Sequence, residues 1–493
     1  MWVGDIRLLR RLDLSRNMNK ACWFSCLLLL GLAEHVGARQ AGRLEVCTQH
    51  PYYFRDGNRH IVLVGVSDRA LFSIWRNDKG FCWQRYLEDL ALHHLNYVRQ
   101  DVCGWGALAA SVDYPAQFSN PAWPFVRPGP GIAIDGKPKF DLTKFEQSYF
   151  DRRLKPFLKE AGRHGIYVEL TLFEGFNRTS FAESLYADRN NINQLRLHYK
   201  EVASDKALDN PHLMAIQHAY VDKVLAETAE FGNIIYEVAN ETGQARWVAH
   251  FTDYIHKHSK HPRQLVSAGE QSTSFNPCTG ANDIIVKHRG GGGLYATDTD
   301  IDNHHRALLR FRVGKPIIHN EYFLFANRST DDVDFVRKMM WGDFTAGGHS
   351  NFFDFTFWRG TGKTPNDGLA SRSPPPEILR AGKHLLDFLT ENNVNFWTMA
   401  PHDELAVVRG KKEAYVFTLA QPGHTYICYV LGDGQVRLNL RLVDGPFTAG
   451  WYDPKRGESV TPVQHIHGKE SCLFHSPVFE QDIVLFVRRS PNL

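Results

Sequence analysis

The chain has 493 residues, 43% hydrophobic and 23% charged, with a formal net charge of +3. This is a globular composition, long enough for a barrel of ~250 residues plus a smaller module, and it excludes a disordered chain. Removing residues 1–38, which carry five basic and three acidic side chains, leaves about +1, so charge gives no ground for binding nucleic acid or an anionic membrane.

Residues 1–38 read as a signal peptide. Lys20 precedes an apolar stretch, 21–33, and Val36-Gly37-Ala38 stands before Arg39. A charged start, a short apolar run and a small-residue cleavage pattern mark export, and the run is too short for a comfortable membrane span. Met18, followed by Asn-Lys, would make a more usual start, with 1–17 as an upstream extension. The mature protein is expected to be secreted or periplasmic, with no membrane contact after cleavage. Its cysteines, Cys47, Cys82, Cys103, Cys278, Cys428 and Cys472, show no zinc spacing. Cys428 and Cys472 share the C-terminal segment, but the sequence selects no pairing.

In chain order, 43–66 reads as a hairpin with an Asp56-Gly57 turn feeding a first strand at 61–66. A helix with Tyr86, Leu87, Leu90 and Leu95 on one side leads to a second strand at 95–102, with Arg99 set in it. Residues 104–136, rich in Pro, Gly and Trp, form a long loop expected above the barrel mouth. The periodicity predicts a helix over 141–165 and a third strand at 166–173 that ends in Glu174. Asp209-Asn210 before Pro211 is a capping signature for the next helix, which feeds a fourth strand at 234–238. Further strands follow at 264–267, 283–287, 315–318 and 351–357, and a closing helix at 375–392. Strand-like runs alternating with helices predict a (β/α)8 barrel over 39–395. An open doubly wound sheet would usually carry a Gly-rich phosphate turn after its first strand, and Gly65-Val-Ser67 is not one. From Asp403 the texture changes to short alternating runs at 413–419, 425–431, 436–440 and 445–451, which predict a small antiparallel β-sandwich over 396–493.

Two strands end in glutamates. The run 233–242 is an apolar strand that stops at Asn240-Glu241, and 315–322 stops at Asn320-Glu321. Barrels of this type place catalytic side chains at the C-terminal ends of their strands. A glycosidase needs one carboxyl to protonate the leaving oxygen and another to meet the charge developing at the sugar carbon. An arginine beside one of them would separate their pKa values.

With Asn96-Tyr-Val-Arg99 on the second strand and Trp358 after the eighth, these residues resemble the clan A glycoside hydrolases, cellulase-like retaining (β/α)8 enzymes, over about 42–393. The resemblance implies Glu241 as acid/base, Glu321 as nucleophile and Asn240 on the sugar 2-hydroxyl. It also implies Arg99 hydrogen-bonded to Glu321, and Trp358 under the reactive sugar. His288, Glu174, Trp105 and Tyr295 are further candidates for substrate contact. Phe173-Glu174 stands where many relatives have His, and His288-Arg-Gly where many have His-x-Tyr, so substrate identity does not carry over. The segment 449–458 resembles a sandwich named for collagen binding that often follows such barrels, and that function is not carried over. Glu237, four residues before Glu241, reads as lying within the strand and outside the chemistry. Asp298-Thr-Asp-Ile-Asp302 lacks the glycine and distal glutamate of a calcium loop, His304-His305 lack partners at metal spacing, and no Gly-x-Ser-x-Gly elbow is present. The expectation is a cofactor-independent, metal-free hydrolase with a carbohydrate substrate. The alternative is a carbohydrate-binding or adhesive surface protein whose barrel has lost activity.

Overall fold

The computed structural model describes residues 40–67, 83–103, 122–175, 181–241, 244–268, 280–288, 305, 309, 312–323, 333–353, 376–410 and 413–490. Apolar runs of three to eight residues pair in parallel as β1 (Val64–Ser67), β2 (Tyr97–Asp101), β3 (Tyr167–Glu174), β4 (Ile234–Asn240), β5 (Val266–Ala268), β6 (Ile284–His288), β7 (Ile317–Phe323) and β8 (His349–Phe353). Each strand neighbours its sequence neighbours and β8 returns to β1, closing the barrel. Closure rules out the open doubly wound sheet. Described helices on its outside are α1 (Trp83–Leu92), α3 (Pro211–Thr228), α4 (Ala245–His258), α5 (Val333–Thr345) and α6 (Pro376–Glu391). Between α1 and α3 lies α2, made of a turn at Gln147–Tyr149, a π turn at Phe150–Leu154 and a regular run at Lys155–Arg163. No described helix is long and apolar enough to cross a membrane.

The capping signature before α3 is realised: the Asn210 side chain accepts the Leu213 N–H at 3.1 Å, and Pro211 opens the helix. The helix expected over 141–165 starts late. Asp141–Phe145 is instead a strand paired with Phe125–Val126 inside the segment expected to be loop. The cause is local: the Asp141 carboxylate accepts the Thr143 N–H and hydroxyl at 3.0 and 2.6 Å, which competes with helical bonding. The helix begins where Glu146 can cap it, its side chain accepting from the Ser148 N–H.

The N-terminal hairpin plugs the bottom of the barrel. Phe54–Asp56 and Arg59–Ile61 turn through Gly57, whose φ of 59° suits glycine, and Leu44–Val46 adds a third strand. Leu44, Phe54, Ile61 and Leu63 pack against Tyr97, Tyr167, Ile235 and Ile318 from the lower parts of the strands. His349 locks this plug to β8. Its Nδ1 accepts the Leu63 N–H at 3.0 Å, and its Nε2 donates to the Tyr52 carbonyl at 3.1 Å, so the neutral ring satisfies both. Burial pushes its pKa down to about 4.

The C-terminal strands form a sandwich of a larger sheet, with Tyr415–Gln421, Thr425–Leu431, Asp482–Arg489 and Gly445–Asp453 adjacent, and a three-stranded sheet of Ala406–Gly410, Val436–Leu440 and Cys472–His475. Alternation decides which side each residue serves. In Thr425–Leu431, Tyr426, Cys428 and Val430 enter the core between the sheets, whereas Ile427, Tyr429 and Leu431 join the core of the barrel. Trp341 of α5 stacks on Tyr429 with centroids 5.6 Å apart, and His305 stacks on Phe417 at 4.0 Å while its Nε2 meets Asp403 at 3.0 Å. Beneath this aromatic layer, buried Arg337 of α5 grips Asp482, with Nε–Oδ2 at 2.9 Å and Nη2–Oδ1 at 2.6 Å, and Tyr429 adds its hydroxyl at 2.8 Å. Burial alone would lower the guanidinium pKa, but the charge and hydrogen bonds of Asp482 outweigh it and raise the value. Cys428 and Cys472 are free thiols on opposing sheets, the first beside Thr418 and the second facing the carbonyls of His467 and Lys469.

Arg337→Ala strips a buried carboxylate of its partner and is expected to cost about 3–5 kcal/mol in denaturant unfolding. An unchanged midpoint would show that the sandwich does not depend on this pair. His349 gives a pH signature. Its folded pKa lies below the unfolded value of 6.5, so its contribution is complete above pH 6.5 and is lost as pH falls towards 4, in total about 3 kcal/mol. His349→Gln is expected to flatten the stability profile across that window, and equal slopes in both proteins would refute the assignment.

Candidate active site

The barrel interior changes from apolar at the bottom to polar in the middle. Alternation on β2 and β3 turns Tyr97, Arg99, Glu169 and Thr171 inward, and the register sets Arg99 beside Glu169 and Thr171 beside Glu237 of β4. Arg99, Glu169 and Glu237 have no solvent exposure. Charges buried so deeply persist only when paired and hydrogen-bonded.

Glu169 forms the lower tier. It accepts from the Tyr97 hydroxyl, from Ser267 Oγ at 2.5 Å and from Asn320 Nδ2 at 3.1 Å, and Arg99 Nε lies 3.8 Å away. Burial first, and then the Glu169 charge, hold the Tyr97 pKa well above its ordinary value, so Tyr97 remains a donor. Arg99 forms the next tier. Its Nε and Nη2 donate to the two oxygens of Glu237 at 2.7 and 2.8 Å, and Nη2 also reaches Asn240 Oδ1 at 2.8 Å. Thr171 Oγ1 donates to Glu237 at 2.5 Å. The backbone N–H of Arg99 donates to Ser67 Oγ at 2.7 Å, which donates to Asn351 Oδ1 at 2.8 Å, and the Asn351 amide donates to the Asn320 carbonyl at 3.0 Å. The polar layer thus links β7, β8, β1, β2, β3 and β4.

At the top, Asn240 Nδ2 donates to Glu174 Oε1 at 2.6 Å. The Asn240 amide is therefore clamped from both sides, by a cation at its oxygen and a carboxylate at its nitrogen. Glu241 follows, exposed and with φ of 50°, a left-handed conformation uncommon outside glycine and often found at functional sites. The end of β3 supports this bend: the Gly175 N–H donates to the Asn240 carbonyl at 2.8 Å, and a Cβ at Gly175 would come within 2.4 Å of the Glu241 carbonyl oxygen. Across the barrel, the β6–β7 register shifts after Lys287–His319, so that His288 pairs with Glu321. The skipped residue is Asn320, whose amide reaches Glu169 below.

Of the residues singled out in the sequence, the structure brings Arg99, Asn240 and Glu174 into one network and sets Glu241 at its exposed end. The backbones of His288 and Glu321 are adjacent on β6 and β7, and their side chains lie outside the described residues. Trp105, Tyr295 and Trp358 also lie outside the described residues. Glu237, read as lying within the strand and outside the chemistry, is buried within β4 and is a bidentate partner of Arg99. The contact of Arg99 with Glu321 expected from the sequence falls on a side chain outside the described residues. Sequence reasoning also passed over Glu169, Tyr97, Thr171, Ser267 and Asn320. A signal existed in Tyr167-Val-Glu-Leu-Thr, where an acid holds an alternate position of an otherwise apolar strand and therefore faces inward. Among the described residues, no group of His, Cys, Asp and Glu is arranged to hold a metal ion.

A family model described as a domain of unknown function (DUF6298) matches residues 116–273. No curated protein sequence matches the chain. Among solved structures, a glycoside hydrolase superposes with a TM-score of 0.61 at 14% identity, covering 91% of this chain and 97% of its own. A glycoside hydrolase family 5 structure from Bacteroides vulgatus ATCC 8482 gives 0.62 at 15% identity, covering 92% and 95%. At these identities the likeness is one of fold, and it spans both barrel and sandwich.

Glu237→Ala is expected to cost about 3–5 kcal/mol, because it removes the bidentate partner of a fully buried guanidinium. Thr171→Val, which removes one hydrogen bond to a charged group, is expected to cost about 1.5–3 kcal/mol. Equal costs for the two in denaturant unfolding would show that the ion pair is not the organising contact.

Proposed function

We propose that this protein is a retaining glycoside hydrolase acting on a poly- or oligosaccharide, exported by means of residues 1–38. The observation that carries the reading is Glu241. It stands exposed in a left-handed conformation at the C-terminal end of a parallel barrel, directly after an asparagine held by a buried arginine and a second carboxylate. The fold likeness to glycoside hydrolases supports it, as does the position of Glu321 on β7 beside His288.

In this reading Glu241 protonates the glycosidic oxygen while Glu321 attacks the anomeric carbon and forms a glycosyl-enzyme. Glu241 then takes a proton from water, the water attacks the same carbon, and Glu321 leaves. Inversion at each step gives net retention, and the double displacement needs the two carboxyl groups ~5–5.5 Å apart. Asn240, preset by its two partners, contacts the sugar 2-hydroxyl. Arg99 hydrogen-bonds Glu321 and keeps it ionised for attack. Trp358 floors the reactive subsite, and His288, Glu174, Trp105 and Tyr295 complete the substrate contacts.

The test is a hydrolysis screen of the mature protein on aryl glycosides and plant, algal and microbial polysaccharides, with Glu241→Ala and Glu321→Ala as controls. Glu321→Ala is expected to abolish most turnover on every substrate. Glu241→Ala is expected to lose roughly 10²–10⁴-fold on glycosides with poor leaving groups, and far less in the first step on activated aryl glycosides that need no acid. The first-formed product, followed by NMR, should keep the substrate's anomeric configuration. Inversion, or near-normal turnover by Glu321→Ala, would sink the mechanism. Glycan binding with no turnover would instead favour the adhesive reading.

A further inference from the structure

A groove of about 590 Å³ lies outside the barrel, between the strand pair Phe125–Val126 and Asp141–Phe145 and the start of α2. Buried aromatic rings line it: Trp123, Phe125, Phe140 and Tyr149. Its position is tied to the upper barrel. The Tyr149 hydroxyl donates to the carbonyl of Val102, just past the end of β2, and Phe125 packs on Tyr220, whose hydroxyl donates to the Leu172 carbonyl on β3 at 3.1 Å. The groove therefore flanks the same end of the barrel as Glu174 and Asn240.

Its charge is one-sided. Arg127, Lys137, Arg152 and Arg153 line the groove with a single acid, Glu146. Arg127 is neutralised by Asp135, its Nη1 and Nη2 at 2.7 and 2.6 Å, and it lies 4.1 Å from the centre of the Phe140 ring. Glu146 is occupied as a helix cap, accepting the Ser148 N–H and hydroxyl at 3.2 and 2.7 Å. Lys137 and Arg152 are exposed and form no salt bridge among the described residues. Trp123, on the lining, is 8% exposed, and its buried indole Nε1 has no hydrogen-bond partner among the described residues. A buried donor left unmade is costly, and a ligand oxygen would satisfy it. An aromatic wall, an N–H unmet among the described residues and exposed cations at the rim are together complementary to a ring-shaped ligand bearing an anion.

We propose that this groove is an accessory subsite for an acidic sugar residue, carrying a carboxylate or a sulfate, within a glycan chain that extends from the barrel mouth. The proposal deepens the glycoside hydrolase reading and rests on it for the nature of the ligand. The sugar lies against the aromatic wall at Trp123, a ring or hydroxyl oxygen accepts from its indole N–H, and the anion lies between Lys137 and Arg152. Neither cation belongs to the proposed catalytic machinery, so the two functions can be separated.

The experiment uses the full-length mature protein carrying Glu321→Ala, so that binding is measured without turnover. Isothermal titration with hexagalacturonate, a sulfated galacto-hexasaccharide and a neutral galacto-hexasaccharide is compared with the same titrations of a Lys137→Glu/Arg152→Glu variant. At least one anionic probe is expected to bind more tightly than the neutral one, to weaken with added salt, and to lose roughly tenfold in affinity in the double variant. The probe that responds identifies carboxylate or sulfate as the anion. Trp123→Phe keeps the ring and removes the donor, and it is expected to weaken the same probe while leaving the neutral one unchanged. Anionic binding that the double variant leaves intact, or no preference over the neutral probe, would overturn the proposal. Failure of the hydrolase reading shows separately, as absent turnover in the unsubstituted enzyme. Charge-dependent binding there would leave the groove standing as a glycan site.

Discussion

Among the described residues, the cluster of Asn240, Glu174 and Glu241 at the mouth of this barrel is stacked on a buried ion pair. Arg99 and Glu237 meet through two hydrogen bonds where neither has any contact with water. Such a pair contributes little net stability, but losing either partner is expensive, so its geometry is strongly enforced. The enforcement propagates upward, because the same guanidinium holds Asn240, Asn240 holds Glu174, and Glu241 follows Asn240 directly. It also propagates sideways and down, through Ser67 and Asn351 to the carbonyl of Asn320, whose amide donates to Glu169. An exposed carboxylate in a left-handed conformation is thereby placed by strands that are themselves immobilised in pairs.

The sandwich serves the same end from outside. Its larger sheet has two apolar faces, one for the core between the sheets and one for α5 and α6 of the barrel. Tyr429, Phe417 and Tyr452 belong to the core that also contains Trp341 and Phe388. The Arg337–Asp482 pair repeats, at this junction, the device used inside the barrel: a charge buried on a barrel element is answered by one buried on its neighbour. Barrel and sandwich consequently form one compact unit over 40–493, not two beads on a linker.

How much of this was legible in advance differs by element. The capped helix after Asn210 and the strand ending in Asn240-Glu241 were readable because each carries a local signal, a cap with proline or an apolar run with a polar stop. The strand at Asp141–Phe145 was not, since a period-3.6 pattern continues through it and only the hydrogen bonds of Asp141 to Thr143 reveal the competition. The pairing of Glu237 with Arg99 was not readable for a different reason. The position of Glu237 inside a strand reads as a liability until the residue 138 positions earlier that neutralises it is known.

The sequence by itself determined the alternation of strands and helices, the change to antiparallel texture after residue 403, and the strand-end placement of Glu241, because hydrophobic period and turn chemistry act over a few residues. Glu321, expected after a strand at 315–318, lies within β7, which runs on to Phe323. Only the tertiary structure decided that Arg99 answers Glu237, that the backbones of His288 and Glu321 pair across a shifted register, that Arg337 is met by Asp482, and that Lys137 and Arg152 share a groove with Trp123. Those are pairings between distant segments. They follow from barrel closure and strand register, and no local pattern encodes either.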